Sequence, residues 1–298
     1  MKFMLQYPDV HGTADDLLDA GPICDLAVAA EQSGWSGVSF TEHPAPGARW
    51  LEAGGHQTLD PFIALGAVAA VTTKVRLLTY LAVLPYRNPL MLAKAATTVD
   101  KISNGRFVLG AGTGYLKGEF RAVGVDFDER NELFDEALAV LPLHWKGEPF
   151  SYEGKHFIAR DVIARPKPVQ DPIPIWLGGN SKLTLRRVAA GAQGWMPLLG
   201  PAEMAVTTRT HHLDSLESVA ERLDVLGDLA GDRMASIEIS VPNHGALSDT
   251  TTNVERLRDY FGQLGELGVG WVNVAAPWAA HPAPLDYVQA FAAAFIDQ

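Results

Sequence analysis

The sequence predicts an α/β fold, a closed (β/α)8 TIM barrel, on three observations. Strand-like apolar runs alternate with helix-like ones almost from end to end. About eight such units fit into 298 residues, which suits a closed barrel better than an open doubly wound sheet. No clean boundary divides the chain, so residues 1–298 read as one domain. The one departure, residues 147–174, is rich in Pro and carries a hairpin-like FSYEGKHF. It is expected to be an insertion between two barrel units.

The elements follow in order. Residues 3–7 form an apolar run stopped by Pro8, and 24–33 read as a helix closed by Gly34. Residues 35–41 return as a strand, 61–71 are helical, and 75–84 read as one strand rich in β-branched and apolar residues. Asn88-Pro89 opens a helix, with Asn as cap and Pro at the first helical position. Its stripe is Leu92, Ala95, Ala96, Val99 and Ile102, and Asn104-Gly105 closes it. A strand begins at once with Phe107-Val108-Leu109. Further on, 173–177 is a strand, 181–190 a helix and 235–241 a strand. Val254, Leu257, Phe261 and Leu264 mark a helix closed by Gly268, residues 271–275 a strand, and Leu285, Val288, Ala292 and Phe295 a last helix.

Composition narrows the function. The net charge of −11 disfavours a duplex-binding surface, which needs a basic face. No stretch reaches the ~18 apolar residues of a membrane span, and the N-terminal apolar run is too short for a signal peptide. The single cysteine, Cys24, falls in a helix, fits a reducing compartment and reads as a buried inert thiol. The expectation is a soluble cytoplasmic protein with a small-molecule substrate, no nucleic-acid partner and no membrane.

In a barrel the active site lies at the C-terminal ends of the strands, and that rule singles out four clusters. Thr41-Glu42-His43 ends the second strand and leads into a long loop carrying Trp50 and His56. Those residues can brace the strand end or do proton chemistry. Leu78-Thr79-Tyr80-Leu81 lies within the third strand and, on residue types alone, reads as core. Gly110-Ala111-Gly112-Thr113-Gly114 ends the fourth. It fits neither the dinucleotide fingerprint, whose third glycine is replaced by Tyr115, nor a P-loop, which needs a following Lys-Ser or Lys-Thr. A tight turn or a backbone cradle remains. Ile175-Trp176-Leu177-Gly178-Gly179-Asn180-Ser181 runs through glycines into a helix start, a favoured place for phosphate. Two glycine cradles favour a large anionic cofactor. No metal motif and no nucleophile elbow is present, and His211-His212 reads as part of a solvated helix.

These clusters resemble the bacterial luciferase-like monooxygenase family, most closely its deazaflavin-dependent branch. The carriers are SFTEH, LPYRNPLMLAKAATTVDKISNGRFVLGAGTGYLKGEF and PIPIWLGGNSKLTLRRVAAGAQGWMP. The resemblance implies a barrel with its insertion after the fourth unit, a homodimer, and coenzyme F420 or alternatively FMN at the C-terminal face. It implies His43 near the cofactor ring as proton donor or ring partner; Glu42, its chain neighbour at the strand end, is the second candidate catalytic residue. It implies a non-proline cis peptide at Tyr80–Leu81 backing the ring, and Thr79, Gly112, Thr113 and Gly114 lining the cofactor. Gly178, Gly179, Asn180 and Ser181 would contact its phosphate. Trp50 and His56, on the loop after the second strand, and Tyr115 are the candidate substrate-binding residues. Sugar-phosphate dehydrogenases of the branch carry an acidic residue directly after Thr-Gly. Tyr115 stands there, which speaks against a sugar phosphate and for a less charged substrate. A flavin monooxygenase fed by a reductase, a non-catalytic flavin-binding relative and a sugar-phosphate lyase are the competing readings. The last lacks an evident Schiff-base lysine at a strand end.

Overall fold

The computed structural model describes residues 1–8, 22–243, 253–275 and 284–296. Eight parallel strands close on themselves: β1 (Lys2–Gln6), β2 (Gly37–Phe40), β3 (Arg76–Thr79), β5 (Phe107–Gly112), β8 (Ile175–Gly178), β9 (Gly194–Met196), β10 (Glu238–Asn243) and β11 (Trp271–Ala275). This is a TIM barrel. Alternation along the strands sorts the side chains. Phe3, Val38, Leu77, Leu109, Leu177 and Val272 face the surrounding helices, while Met4, Leu78, Val108, Trp176, Met196 and Trp271 fill the interior. One step further along three strands the interior turns polar. Ser39 Oγ donates to Asn273 Oδ1 at 2.8 Å, and Asn273 Nδ2 donates to Gln6 Oε1 at 2.8 Å. These buried groups satisfy one another, so the floor beneath the barrel mouth is polar without an orphaned group in that trio.

The helices are α1 (Ile23–Gln32), α2 (Ala48–Glu52), α3 (Pro61–Val71), α4 (Pro89–Ile102), α5 (Lys117–Ala122), α6 (Arg130–Trp145), α7 (Lys182–Gly191), α8 (Ala202–Thr208), α9 (Leu216–Ala230), α10 (Val254–Glu266) and α11 (Pro284–Phe295). Asn88 caps α4 through its side chain, accepting from the Leu90 N–H at 2.9 Å. Between α6 and β8 stands an antiparallel hairpin, β6 (Phe150–Glu153) with β7 (Ile158–Val162), separate from the barrel sheet. Among the described residues no helix is long and apolar enough to cross a membrane.

Several expectations need correction. The third strand is not continuous over 75–84. It stops at Thr79, passes a cis Tyr80–Leu81 bond, and resumes as β4 (Ala82–Val83) against β5. The tenth strand starts at Glu238, because a 3-10 turn closed by Ser236 Oγ on the Arg233 carbonyl occupies the preceding residues. Strand β9 has three residues, too few to show a period in the sequence. His211 and His212 lie outside any helix, since α8 ends at Arg209 in a left-handed conformation (φ 55°). Cys24 is half-buried. Trp35, Trp145 and Trp195 are core residues whose indole N–H groups each reach a backbone carbonyl, of Val288, Ala93 and Gly179.

His144, buried on α6, has no partner for Nδ1. Burial, with the Lys94 charge nearby, pushes its pKa down to about 4. The fold therefore holds a neutral imidazole that the unfolded chain protonates near its ordinary ~6.5. Unfolding takes up a proton between those values, so stability is lost as pH falls from about 6.5 towards 4, by about 2 kcal/mol. Urea melts of the protein and of His144→Leu at pH 7 and pH 5 check this. The variant is expected to lose part of that pH dependence.

Candidate active site

The end of β2 places His43 at the barrel mouth. Its backbone N–H donates to Thr58 Oγ1 at 2.8 Å, and Pro44 behind it holds the chain extended. The imidazole is nearly buried and sits in an aromatic wall. Trp50 lies 4.5 Å away by ring centroid, His56 5.0 Å and Tyr115 5.9 Å. The long loop after β2 thus returns two of its aromatic residues to the strand that launched it.

Beneath His43 lies Glu119, 1 % exposed, on the first turn of α5. Three donors converge on its carboxylate: His43 Nδ1 at 3.2 Å, the Tyr86 hydroxyl at 3.0 Å and the Ala45 N–H at 3.0 Å. A carboxylate that accepts from a phenol and an amide accepts from the imidazole as well, so Nδ1 carries the proton. Nε2 is left facing Tyr115, whose hydroxyl lies 3.5 Å away. Burial and the Glu119 charge hold the Tyr115 phenol above its ordinary pKa, so it stays protonated. Nothing at sequence level links Glu119 to His43, 76 residues apart. The α5 first turn brings them together.

Glu42 points elsewhere. It is buried, accepts from the Val83 N–H at 2.7 Å and pairs with the Arg87 guanidinium, which also reaches Asp60. Burial pushes its carboxyl up while Arg87 opposes that. Its geometry is that of a pin on β4, and it is not brought to the His43 cluster.

The glycines of the β5 and β8 ends divide into two kinds. A Cβ on Gly110 would overlap the Thr79 carbonyl oxygen, and Thr79 Oγ1 donates to the Gly110 carbonyl at 2.8 Å. The Thr79 hydroxyl is therefore spent on the barrel wall. Leu81 fills the space beside Gly112 and Gly178, so these two let strand ends close on a side chain. Gly114 has φ +76°, and a Cβ there would stand 2.7 Å from Val83 Cγ1 and 2.8 Å from Phe120. Tyr80 and Leu81 pack onto the interior cluster at the mouth, and Thr113 is half-buried.

Gly179 is of the other kind. With φ +108°, the position of its missing Cβ faces Thr184 Oγ1 at 3.4 Å and Thr210 Oγ1 at 3.8 Å. Ser181 caps α7, accepting from the Thr184 N–H at 3.1 Å. The other first-turn N–H groups of a helix have no intrahelical partner and point at the same space. Arg222 donates to the Asn180 carbonyl at 2.6 Å, while its buried Nε has no partner. Asn180 itself is fully buried, with its amide bonded to the backbone of Leu198 and His211. It shapes the loop from behind. Two hydroxyls, helix N–H groups and a cation make a donor set that fits a phosphate.

A third set of donors, Glu129, Glu132 and His156, meets on α6 and the hairpin, with the Lys155 ammonium among them. That lysine ion-pairs with both carboxylates.

The luciferase-like monooxygenase family model matches residues 1–263, and the chain belongs to that family. It is 33 % identical to an F420-dependent glucose-6-phosphate dehydrogenase of Nakamurella multipartita, over 70 % of this chain and 61 % of that protein. The first curated relatives, uncharacterized mycobacterial proteins, are 35 % identical, and the match spans 47 % of this chain and about half of their length (50 %). Among solved structures, the monooxygenase RslO1 of Streptomyces bottropensis has a TM-score of 0.76 at 21 % identity, covering 99 % of this chain and 98 % of that one. The oxygenating constituent of a Pseudomonas putida diketocamphane monooxygenase, in complex with FMN, has a TM-score of 0.70 at 17 % identity, covering 98 % and 96 %. Its relatives thus include a protein named for F420 dependence, and its structural neighbours one in complex with FMN.

Proposed function

We propose that this protein is a cytoplasmic, homodimeric oxidoreductase that binds the deazaflavin coenzyme F420 at the barrel mouth and exchanges a hydride with a small carbonyl or alcohol substrate. The observation that carries the reading is the His43–Glu119 pair, with the other ring nitrogen, Nε2, 3.5 Å from the Tyr115 hydroxyl. The coenzyme would supply the hydride chemistry; a deazaflavin has carbon in place of the nitrogen that lets flavins react with oxygen. The protein then has to orient the ring and move one proton. His43 Nε2 accepts a proton from an alcohol or, in the reverse direction, gives one to a carbonyl oxygen. Glu119 stabilises the imidazolium in between and fixes which nitrogen faces the substrate. The Trp50, His56 and Tyr115 rings exclude water and suit an uncharged substrate. Gly179, Ser181, Thr184 and Thr210 would hold the coenzyme phosphate at the α7 N-terminus, and Tyr80 and Leu81 would back its ring. Glu42 supports β4 from behind.

Titration of the purified protein with F420 and with FMN, followed by tryptophan quenching, tests the cofactor. F420 is expected to bind the more tightly; clearly tighter FMN binding would favour a reductase-fed monooxygenase.

The dimer is proposed on a second observation. Helix α3 contains no polar residue, yet Ile63 is 76 % exposed, and Met91 on the adjoining α4 is 71 % exposed. A helix apolar all round is normally covered. A second copy on this face would cover both. Sedimentation is expected to show a dimer, and Ile63→Glu a monomer that keeps its fold. A wild-type monomer at micromolar concentration would remove the proposal.

A further inference from the structure

Phe127 lies between α5 and α6, nearly buried, with its ring edge against Phe120 at 5.1 Å. Three cations surround it. Arg130 Cζ stands 3.9 Å from the ring centroid, Arg209 Cζ 5.0 Å and Lys117 Nζ 5.1 Å. All three therefore lie within roughly 10 Å of one another. Among the described residues none of them has a carboxylate at ion-pair distance, in a chain with 35 acidic residues against 24 basic ones. Arg130 is fixed further by donating to the Phe127 carbonyl at 2.9 Å. Burial and the neighbouring Arg209 hold the Arg130 pKa below its ordinary value, and the Asp128 carboxylate offsets this only in part. Like charges gathered around one ring repel, and cation–π contact offsets only part of that. An anion placed among them would relieve it.

The cluster is also well placed. Lys117 follows Tyr115 by two residues at the start of α5, and Arg130 opens α6. Arg209 directly precedes Thr210, whose hydroxyl accepts the Asn180 N–H at 2.7 Å and faces the Gly179 cradle. The cluster is thus joined along the chain to Tyr115 on one side and to the Gly179 cradle, through Thr210, on the other.

We propose that Lys117, Arg130 and Arg209 form a polycarboxylate site that takes the anionic tail of the coenzyme beyond its phosphate. The site rests on the F420 reading and deepens it. FMN ends at one phosphate, which the cradle at α7 accounts for. F420 continues past its phosphate into a lactyl group and a chain of γ-linked glutamates, each carrying a carboxylate. Three cations spread over this span match a row of carboxylates better than one compact phosphate. The rings and guanidinium planes are set before binding, so little ordering is needed.

Tail-length dependence of binding tests this without turnover. The probes are F420 with a long oligoglutamate tail, the same deazaflavin ending at its phospholactyl group, and FMN. Binding is read by tryptophan quenching at low and at physiological salt. The protein is expected to bind the long-tailed form about tenfold more tightly than the tail-less one at low salt, as three charge contacts of ordinary strength allow. Salt should shrink that ratio. In the triple variant Lys117→Gln, Arg130→Gln, Arg209→Gln, the ratio should fall to near one while affinity for the tail-less form is kept. Each single variant should lose part of it, which covers the case of a triple variant that folds poorly. Equal affinity of the wild type for the two deazaflavins, or a preference that survives in the variants, would overturn the tail site and leave the F420 reading standing. Binding of FMN with neither deazaflavin form would overturn the cofactor reading and the tail site with it.

Discussion

His43→Ala is expected to lower turnover by about 10²–10⁴-fold at saturating cofactor and substrate, while cofactor affinity stays within a few-fold. The geometry separates the two effects. The imidazole is tied on one side to a buried carboxylate and on the other lies 3.5 Å from the Tyr115 hydroxyl, so it sits within a chain of groups that can pass a proton. The phosphate cradle lies at the ends of other elements, on α7 and the loop before α9, and loses nothing when His43 is truncated. Glu119→Gln probes the same pair from beneath. It removes the charge that stabilises the imidazolium and keeps the side-chain volume. Turnover is expected to fall by less than in His43→Ala, with a change in the pH profile that a packing defect would not produce. The two substitutions act through one proton, so the double variant should be little worse than His43→Ala alone. Steady-state kinetics of the three variants, with cofactor binding measured in parallel, provide the check. Near-normal turnover in His43→Ala would make the residue structural and move the search for the acid or base to Tyr115 or His56.

The second large effect is on stability. From the sequence, Gly114 reads as a cradle glycine, whose replacement costs cofactor affinity and spares the barrel. The structure reverses that balance. Gly114→Val is expected to destabilise the fold by about 3 kcal/mol or more, from a positive φ that a β-branched residue scarcely tolerates and from overlap with Val83 and Phe120. Neither neighbour has free space to give: Phe120 is fully buried and packs against both Tyr86 and Phe127. For a chain of this size that is a loss of roughly 10 °C in melting temperature. Gly179→Ala is the contrast. Its backbone is equally left-handed, but the added Cβ meets only the Thr184 and Thr210 hydroxyls at ordinary distances. It is expected to cost less stability than Gly114→Val and more affinity for a phosphate-bearing ligand. Calorimetry and ligand titration of the two variants separate a packing glycine from a binding one. A Gly114→Val protein that melts like wild type but no longer binds cofactor would restore the cradle reading.

The sequence by itself determined the barrel, because its signals are local and repeated. Apolar runs of strand length, a Pro at the start of α4 beside its Asn cap, and the Asn104-Gly105 stop each act within a few residues. It also placed His43 and the Gly179–Ser181 turn at strand ends, since strand order alone decides which end of a barrel a loop occupies. Residue identity could not say which glycine faces a ligand and which faces a neighbouring side chain. Gly112, Gly114 and Gly179 look alike in sequence and differ in what stands opposite: Leu81, Phe120 or a pair of hydroxyls. The same holds for the carboxylates. Glu42 adjoins His43 in the chain but pairs with Arg87, while Glu119 is distant in the chain and lies beneath the imidazole. Successive side chains at a strand end point to opposite sides, so the chain neighbour was turned away. The partner had to come from another unit of the barrel, and only tertiary packing decides which one.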